Sequence, residues 1–125
     1  MQVQTNFKVS DNSGAKTAKC IKVLGGFQKR YAKVGDLIVV SLQTVKNNLK
    51  KKNRVQAGDL YKALVISSKR PCYRKNGSLL ASKESFIILL GNNLQPIASR
   101  VLAPLGKELR YSRFAKVASL APTIL

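Results

Sequence analysis

Residues 46–54 carry five cations and no acid: Lys46, Lys50, Lys51, Lys52 and Arg54, interleaved with Asn47, Asn48, Leu49 and Asn53. Such a cluster suits one kind of chemistry, the pairing of fixed positive charge with phosphates, each contact releasing condensed counterions. The competing reading is a solvated loop that keeps the chain in solution. The whole chain already has a formal net charge of +18, so further solubility is not needed and RNA contact is favoured. A second cluster, Lys69-Arg70-Pro71-Cys72-Tyr73-Arg74-Lys75, holds four cations in seven residues and one aromatic. Tyr73 can stack on an unpaired base while Arg70 and Arg74 fork onto phosphates. The bland alternative is a hairpin arm with exposed basic ends. Phe27-Gln28-Lys29-Arg30-Tyr31 repeats the pattern and adds Lys29 and Arg30 to the RNA-binding set, although its aromatics can equally be core. Asn12, Ser13 and Lys16, in and beside the turn Asp11-Asn12-Ser13-Gly14, can present small polar groups and backbone N–H to a phosphate. Many turns share that pattern. Arg100, Arg110, Arg113 and Lys116 form a third basic set near the C-terminus, able to face RNA or a protein.

Other chemistries lack material. The chain has no His to act as a base near neutral pH and five acids, all scattered beside turns or at positions expected to be exposed. Asp36 and Asp59 each follow a glycine at the start of an apolar run, where an Asx residue caps a turn. Neither Cys20 nor Cys72 has an evident base beside it. Two cysteines are too few for a disulfide framework or a zinc site, so no metal or other cofactor is expected and the thiols are read as reduced and structural. Gly25-Gly26 lacks the spacing of a phosphate-cradling loop. An enzyme is not expected. With 23 Lys plus Arg against 5 Asp plus Glu, the chain repels itself unless a polyanion compensates. Nucleic acid is favoured over an anionic membrane surface. The longest apolar run, Phe86 to Leu90, is strand-length, far below the roughly 18–20 residues of a spanning helix. The N-terminal residues show neither a signal nor a transit pattern.

These side chains need a rigid frame. The 125 residues, 45% of them hydrophobic, suffice for one domain with its own core. Val3, Thr5, Phe7 and Val9 alternate with polar residues, predicting a half-buried strand. After the 11–14 turn, residues 16–24 alternate again, with Ala18, Cys20 and Lys22 on one face. The run 37–42 after Val34-Gly35-Asp36, and the run 61–66 after Ala57-Gly58-Asp59, suit buried strands. Asn76-Gly77 predicts a hairpin leading to Leu79-Leu80 and then Ser85 to Leu90. Five or six short strands with Gly and Asn punctuation suggest a small closed barrel, which also removes sheet edges. The basic loop 46–54 lies between two strands and reads as a protruding tip. Pro96, Pro104 and Pro122 mark a change of character. Helical spacing over 106–118 predicts one or two short helices, with Leu109, Phe114 and Val117 packing on the barrel.

Taken in order, several blocks resemble a known family. They are Asp11-Asn12-Ser13-Gly14-Ala15, Cys20-Ile21-Lys22-Val23-Leu24-Gly25-Gly26, Tyr31-Ala32-Lys33-Val34-Gly35-Asp36 and Gly58-Asp59-Leu60-Tyr61-Lys62-Ala63. Asn76-Gly77-Ser78, Gln95-Pro96-Ile97, Lys107-Glu108-Leu109-Arg110 and Ser119-Leu120-Ala121-Pro122 continue the series. Together they cover nearly the whole chain, and it resembles the universal large-subunit ribosomal protein L-fourteen family. The resemblance implies a mainly β fold: a small five-stranded β-barrel over 1–92, a projecting β-ribbon near 43–57, and a C-terminal segment over 93–125 with one or two short helices packed on the barrel. All 125 residues would form a single domain.

The resemblance also implies a structural constituent of the large subunit that binds its ribosomal RNA and contributes to an intersubunit bridge. Small-subunit RNA and the large-subunit proteins three and nineteen would be neighbours. A ribosome silencing factor docks on members of the family, at positions that fall here on Ser99, Arg100 and Lys116, with Arg113 in the same basic set. Ser99 stands where the family usually has Thr, keeping the hydroxyl and losing a methyl. The segment between Asp36 and Asp59 is longer than the common bacterial form by roughly four residues, a count that the resemblance alone supplies. It has Asn and Lys in place of a Pro-Arg-Gly centre. An aromatic usual after Asn76-Gly77-Ser78 is absent, with Ser82 there and Phe86 later. These departures and the charge suggest an organelle-encoded copy. The mitochondrial matrix is favoured over a plastid stroma or bacterial cytoplasm. A different class of function, a free single-strand-binding regulatory barrel, would want several aromatics on one sheet face. The 6% aromatic content without Trp argues against it.

Overall fold

Alternating apolar residues build the barrel wall, and its strands are short because glycine-bearing turns interrupt them. The computed structural model describes residues 2–27, 29–45, 55–73, 77–91, 93–105 and 115–121. Strands β1 (Asn6–Val9), β2 (Ala15–Val23), β3 (Leu37–Val45), β4 (Leu60–Ser67) and β7 (Phe86–Leu90) close in the order β1-β2-β3-β4-β7. Neighbours are antiparallel except β1 and β7, which run parallel and seal the barrel through Lys8↔Phe86 and Val9↔Ile87. β5 (Cys72–Tyr73) and β6 (Leu79–Leu80) form a separate two-stranded sheet around the 76–77 dipeptide, where Gly77 takes φ 87°. Helix is confined, among the described residues, to α1 (Ala115–Ser119). The fold is thus mainly β with a closed five-stranded barrel.

Two apolar cores share one wall. Inside the barrel lie Phe7, Ala18, Cys20, Val23, Ile38, Val40, Leu42, Ala63, Val65, Ile87 and Leu89. Ala15, Ala18 and Ala63 are small, as a narrow barrel interior requires. Outside it, Leu64, Ile66, Ile88 and Leu90 are covered by Val101, Ala103, Leu105, Val117 and Ala118. The stretches Ala63–Ile66 of β4 and Ile87–Leu90 of β7 are therefore buried on both faces, which is why each is a continuous apolar run. Burying each large aliphatic side chain contributes about 1.5–3 kcal/mol. β3 is different: Ile38, Val40 and Leu42 are buried while Leu37, Val39 and Ser41 between them are half-buried.

Two strand expectations are corrected. The alternation from Val3 stops short of its first two apolar residues. Thr5 N–H bonds the Gln2 carbonyl at 3.2 Å, Gln4 takes φ 71°, and Val3 is left 49% exposed. The strand proper begins at Asn6. Lys22 does not share the inward face of Ala18 and Cys20. Pairing passes from Cys20↔Val40 to Lys22↔Val39, so Ile21 is an extra residue, and the bulge turns Lys22 outward and Val23 inward.

At the basic tip, β3 runs out to Val45 and the chain returns at the buried Val55. Gly58 N–H to the Leu42 carbonyl (2.8 Å) and Leu42 N–H to the Asp59 carbonyl (3.1 Å) zip the base. At the C-terminal end, Val117 is buried against the outer core as its spacing suggests, while Leu109 and Phe114 lie outside the described residues. No helix among the described residues is long and apolar enough to cross a membrane.

Candidate nucleic-acid interface

The polar turn before β2 uses its side chains inward. Asp11 is 1% exposed, and its carboxylate accepts Ser13 N–H (3.1 Å), the Ser13 hydroxyl (2.5 Å) and Leu89 N–H on β7 (3.1 Å). Ser13 is equally buried. Asp11 thus lies beside the turn and caps it locally, as expected, and the structure adds its burial and the bond from Leu89 N–H. Asn12 reaches the other way along the chain. Its Oδ1 accepts the N–H of Ser99 and of Arg100, both at 3.1 Å, and its Nδ2 donates to the Ser99 hydroxyl at 3.0 Å. Asn12 N–H bonds the Arg100 carbonyl, and Asp11 pairs with Val101 as an isolated bridge. Gly14, at φ 102°, lets the chain reverse into β2. The turn is a bracket joining β2, β7 and the 99–101 segment. The side-chain groups of Asn12 and Ser13, expected to meet phosphate, are engaged within it.

The cations are deployed outward. Lys16, Lys19 and Lys22 stand exposed along β2, over roughly 20 Å of strand. Register places Lys19 between Asn6 on β1 and Ser41 on β3, and Lys22 beside Val39, which faces the exposed Lys62 on β4. Among the described residues, this outer face of β1, β2 and β3 is the part of the wall that the C-terminal segment does not cover. None of Lys16, Lys19, Lys22 and Lys62 is ion-paired with an acid among the described residues. Glu84 pairs with Lys8 at 2.6 Å, and Asp36 pairs with Lys29 at 3.0 Å while also accepting Lys33 N–H at 2.8 Å, the turn cap expected of it. Asp59 accepts the Tyr61 hydroxyl at 3.5 Å; burial, with the charge of Asp59, holds that hydroxyl above its ordinary pKa.

Of the cations singled out by sequence, Lys16, Arg30, Lys69, Arg70, Arg100 and Lys116 are exposed. Lys29 is half-buried, its ammonium held by Asp36. Lys46, Lys50, Lys51, Lys52, Arg54, Arg74, Lys75 and Arg113 lie outside the described residues. Lys19 was legible, since the alternation that turns Ala18 and Cys20 inward turns it outward. Lys22 was not, because only the bulge at Ile21 reverses it. The aromatics of 27–31 are not core: Phe27 is 95% exposed and Tyr31 58%, and Tyr73 in the second basic cluster is 80% exposed.

Ser99 and Arg100 are exposed, and Val101 N–H reaches the Leu120 carbonyl at 3.5 Å, just beyond α1. The Ser119 hydroxyl closes that helix on the Lys116 carbonyl at 2.6 Å. The Val101–Leu120 bond thus brings the 99–101 backbone beside the end of the helix that carries Lys116. Cys20 is buried in the barrel interior, where burial pushes its thiol pKa up and away from nucleophilic use. A protein-family model described as Ribosomal protein L14p/L23e matches residues 1–125, the whole chain.

Proposed function

The chain belongs to the Ribosomal protein L14p/L23e family, and from that premise we propose that it binds large-subunit ribosomal RNA through the open outer face of its barrel. Membership makes it a structural, non-enzymatic constituent of the large ribosomal subunit, located in the ribosome. The observation that carries the RNA reading is the exposed row Lys16, Lys19 and Lys22 with Lys62 beside it, on a part of the barrel wall that has no apolar cover among the described residues. The barrel fixes where those charges stand, phosphates neutralise them, and the folded shape of the RNA supplies specificity. Arg30, Lys69 and Arg70 extend the same charge to the loops. The five cations of 46–54 add to it in the chain between β3 and the buried Val55.

The test is the salt dependence of binding to a large-subunit RNA fragment. Replacing Lys19, Lys22 and Lys62 together by Gln is expected to lower the slope of log affinity against log salt by about 2–3. An unchanged slope would mean that the face is solvated and idle.

The same reading assigns the cations of 46–54 to a bridge to small-subunit RNA, with large-subunit proteins three and nineteen as neighbours. It assigns Ser99, Arg100, Arg113 and Lys116 to the docking of a silencing factor. Support comes from the family resemblance and from the exposure of Ser99 and Arg100 on a backbone that Asn12 holds still. Arg100→Glu is expected to weaken factor binding while incorporation into the large subunit persists. Loss of incorporation would move Arg100 to the RNA-facing set. We further infer a mitochondrial ribosome, on the strength of the charge of +18 and the Asn- and Lys-rich stretch 46–54. Organelle fractionation followed by sedimentation tests it: the chain should travel with the mitochondrial large subunit, not with plastid or bacterial ribosomes.

A further inference from the structure

The connection between β2 and β3, residues 24–36, carries the most exposed large apolar side chain among the described residues: Phe27, 95% exposed. A ring left in water forgoes the burial that most phenylalanines gain, so what holds it there matters. Lys29 N–H bonds the Gly26 carbonyl at 3.4 Å and closes a tight turn that carries Phe27. The Lys29 ammonium pairs with Asp36 at 3.0 Å and lies against Gly25, where a Cβ would come 3.3 Å from it. Asp36 is fixed in its turn. Its carbonyl accepts Val65 N–H at 3.1 Å, and Gly35 N–H beside it bonds the Val65 carbonyl at 2.8 Å, so both are tied to β4. The Asp36 carboxylate also accepts Lys33 N–H at 2.8 Å, and Ala32 is buried in the barrel core. The turn is thus anchored to the barrel at its root while the ring projects from it.

The neighbours of Phe27 in the chain select its partner. Residues 24–36 hold three cations, Lys29, Arg30 and Lys33, and a single acid, Asp36, which is spent on Lys29. Arg30 and Lys33 are exposed. Gly25 and Gly26, just before the ring, offer no side chain. The other large exposed apolar body of the connection, Tyr31, is again a ring. A protein pocket would call for several apolar side chains together, with charge depleted among them. A ring set between bare glycines and uncompensated cations is matched instead by a nucleotide, whose base stacks on the ring and whose phosphate answers the charge. We propose that Phe27 stacks on one unpaired base of RNA, with the adjoining phosphate met by Arg30. The proposal rests on the RNA-binding reading above and adds a contact of different character. The lysine row on β2 meets backbone alone, whereas the face of a ring needs a base that has left its duplex. The turn therefore distinguishes unpaired from paired RNA.

The chain has no Trp, so Phe27→Trp puts a single indole fluorophore at the turn. The purified full chain with that change is titrated with two RNA probes. One is a short oligouridylate strand, whose bases stack poorly on one another. The other is an RNA duplex long enough that its ends are a small part of its surface. The strand is expected to quench the indole emission. The duplex should leave the emission unchanged while still binding, as the anisotropy of a labelled duplex shows. Phe27→Ala and Phe27→Leu should each lose about tenfold in affinity for the strand and nothing for the duplex, since Leu keeps apolar bulk but has no ring face. Phe27→Trp should keep the strand affinity. The side chain is almost wholly exposed, so none of these changes threatens the fold, and coincident thermal melts check this. Equal quenching by both probes, no quenching by the strand, or full strand affinity in Phe27→Leu overturns the proposal. If duplex binding stays salt-dependent while the strand leaves the emission unquenched, the RNA reading stands, and the turn belongs to a protein neighbour. If the unaltered chain binds neither probe, the RNA reading fails with it.

Discussion

The turn 11–14 and strand β2 are adjacent in the chain and similarly polar, yet they spend their polarity in opposite directions. Asp11, Asn12 and Ser13 turn theirs inward and sideways, into hydrogen bonds with β7 and with the 99–101 segment. Lys16, Lys19 and Lys22 turn theirs out to solvent. Short side chains with both donors and acceptors can complete buried networks, whereas a lysine ammonium has only donors and a large desolvation penalty. One region is thus the fastening of the fold and the other its reserve of uncompensated charge. Polarity by itself does not mark a binding residue; reach and partner decide.

Substitutions in the two regions should separate stability from binding. The largest stability effect is expected at Asp11. Asp11→Ala leaves Ser13 N–H and Leu89 N–H without the carboxylate they donate to, deep in the protein, and should lower unfolding free energy by about 3 kcal/mol or more. Urea denaturation measures it, and a loss below about 1 kcal/mol would mean that the bracket is not structural. Asn12→Ala should cost less, about 1 kcal/mol, because its hydrogen bonds lie at an exposed site where water substitutes. Limited proteolysis should then find the 99–101 segment cut sooner. At the other extreme, the triple Gln variant of Lys19, Lys22 and Lys62 should change stability by no more than about 0.5 kcal/mol while changing the salt slope. Were the lysine variant to unfold as readily as Asp11→Ala, the contrast between the two regions would collapse.

The two faces of the barrel wall teach a related lesson. β4 and β7 carry apolar residues at every position of Ala63–Ile66 and Ile87–Leu90, and they are buried on both sides. β2 alternates, and it is buried on one side only. A long apolar run therefore tells which strands the C-terminal segment covers, and an alternating one tells which face stays open to solvent among the described residues.

The sequence by itself determined that the chain is mainly β, that it is strongly basic, and where most strands lie, because alternation and glycine turns act locally. It also determined the family, through ordered blocks spread over the whole chain. Tertiary structure decided what each polar residue is for. Whether Asp11 is a solvent-exposed cap or a buried acceptor depends on Leu89, 78 positions away in the chain. Whether Lys22 faces core or solvent depends on one extra residue in the pairing with β3. Whether Tyr31 and Tyr73 line one cleft depends on β4, which bonds the 35–36 backbone through Val65 and leads directly into 68–73. Each of these is a contact between distant segments, and no local pattern of residues encodes the partner that closure of the barrel will bring.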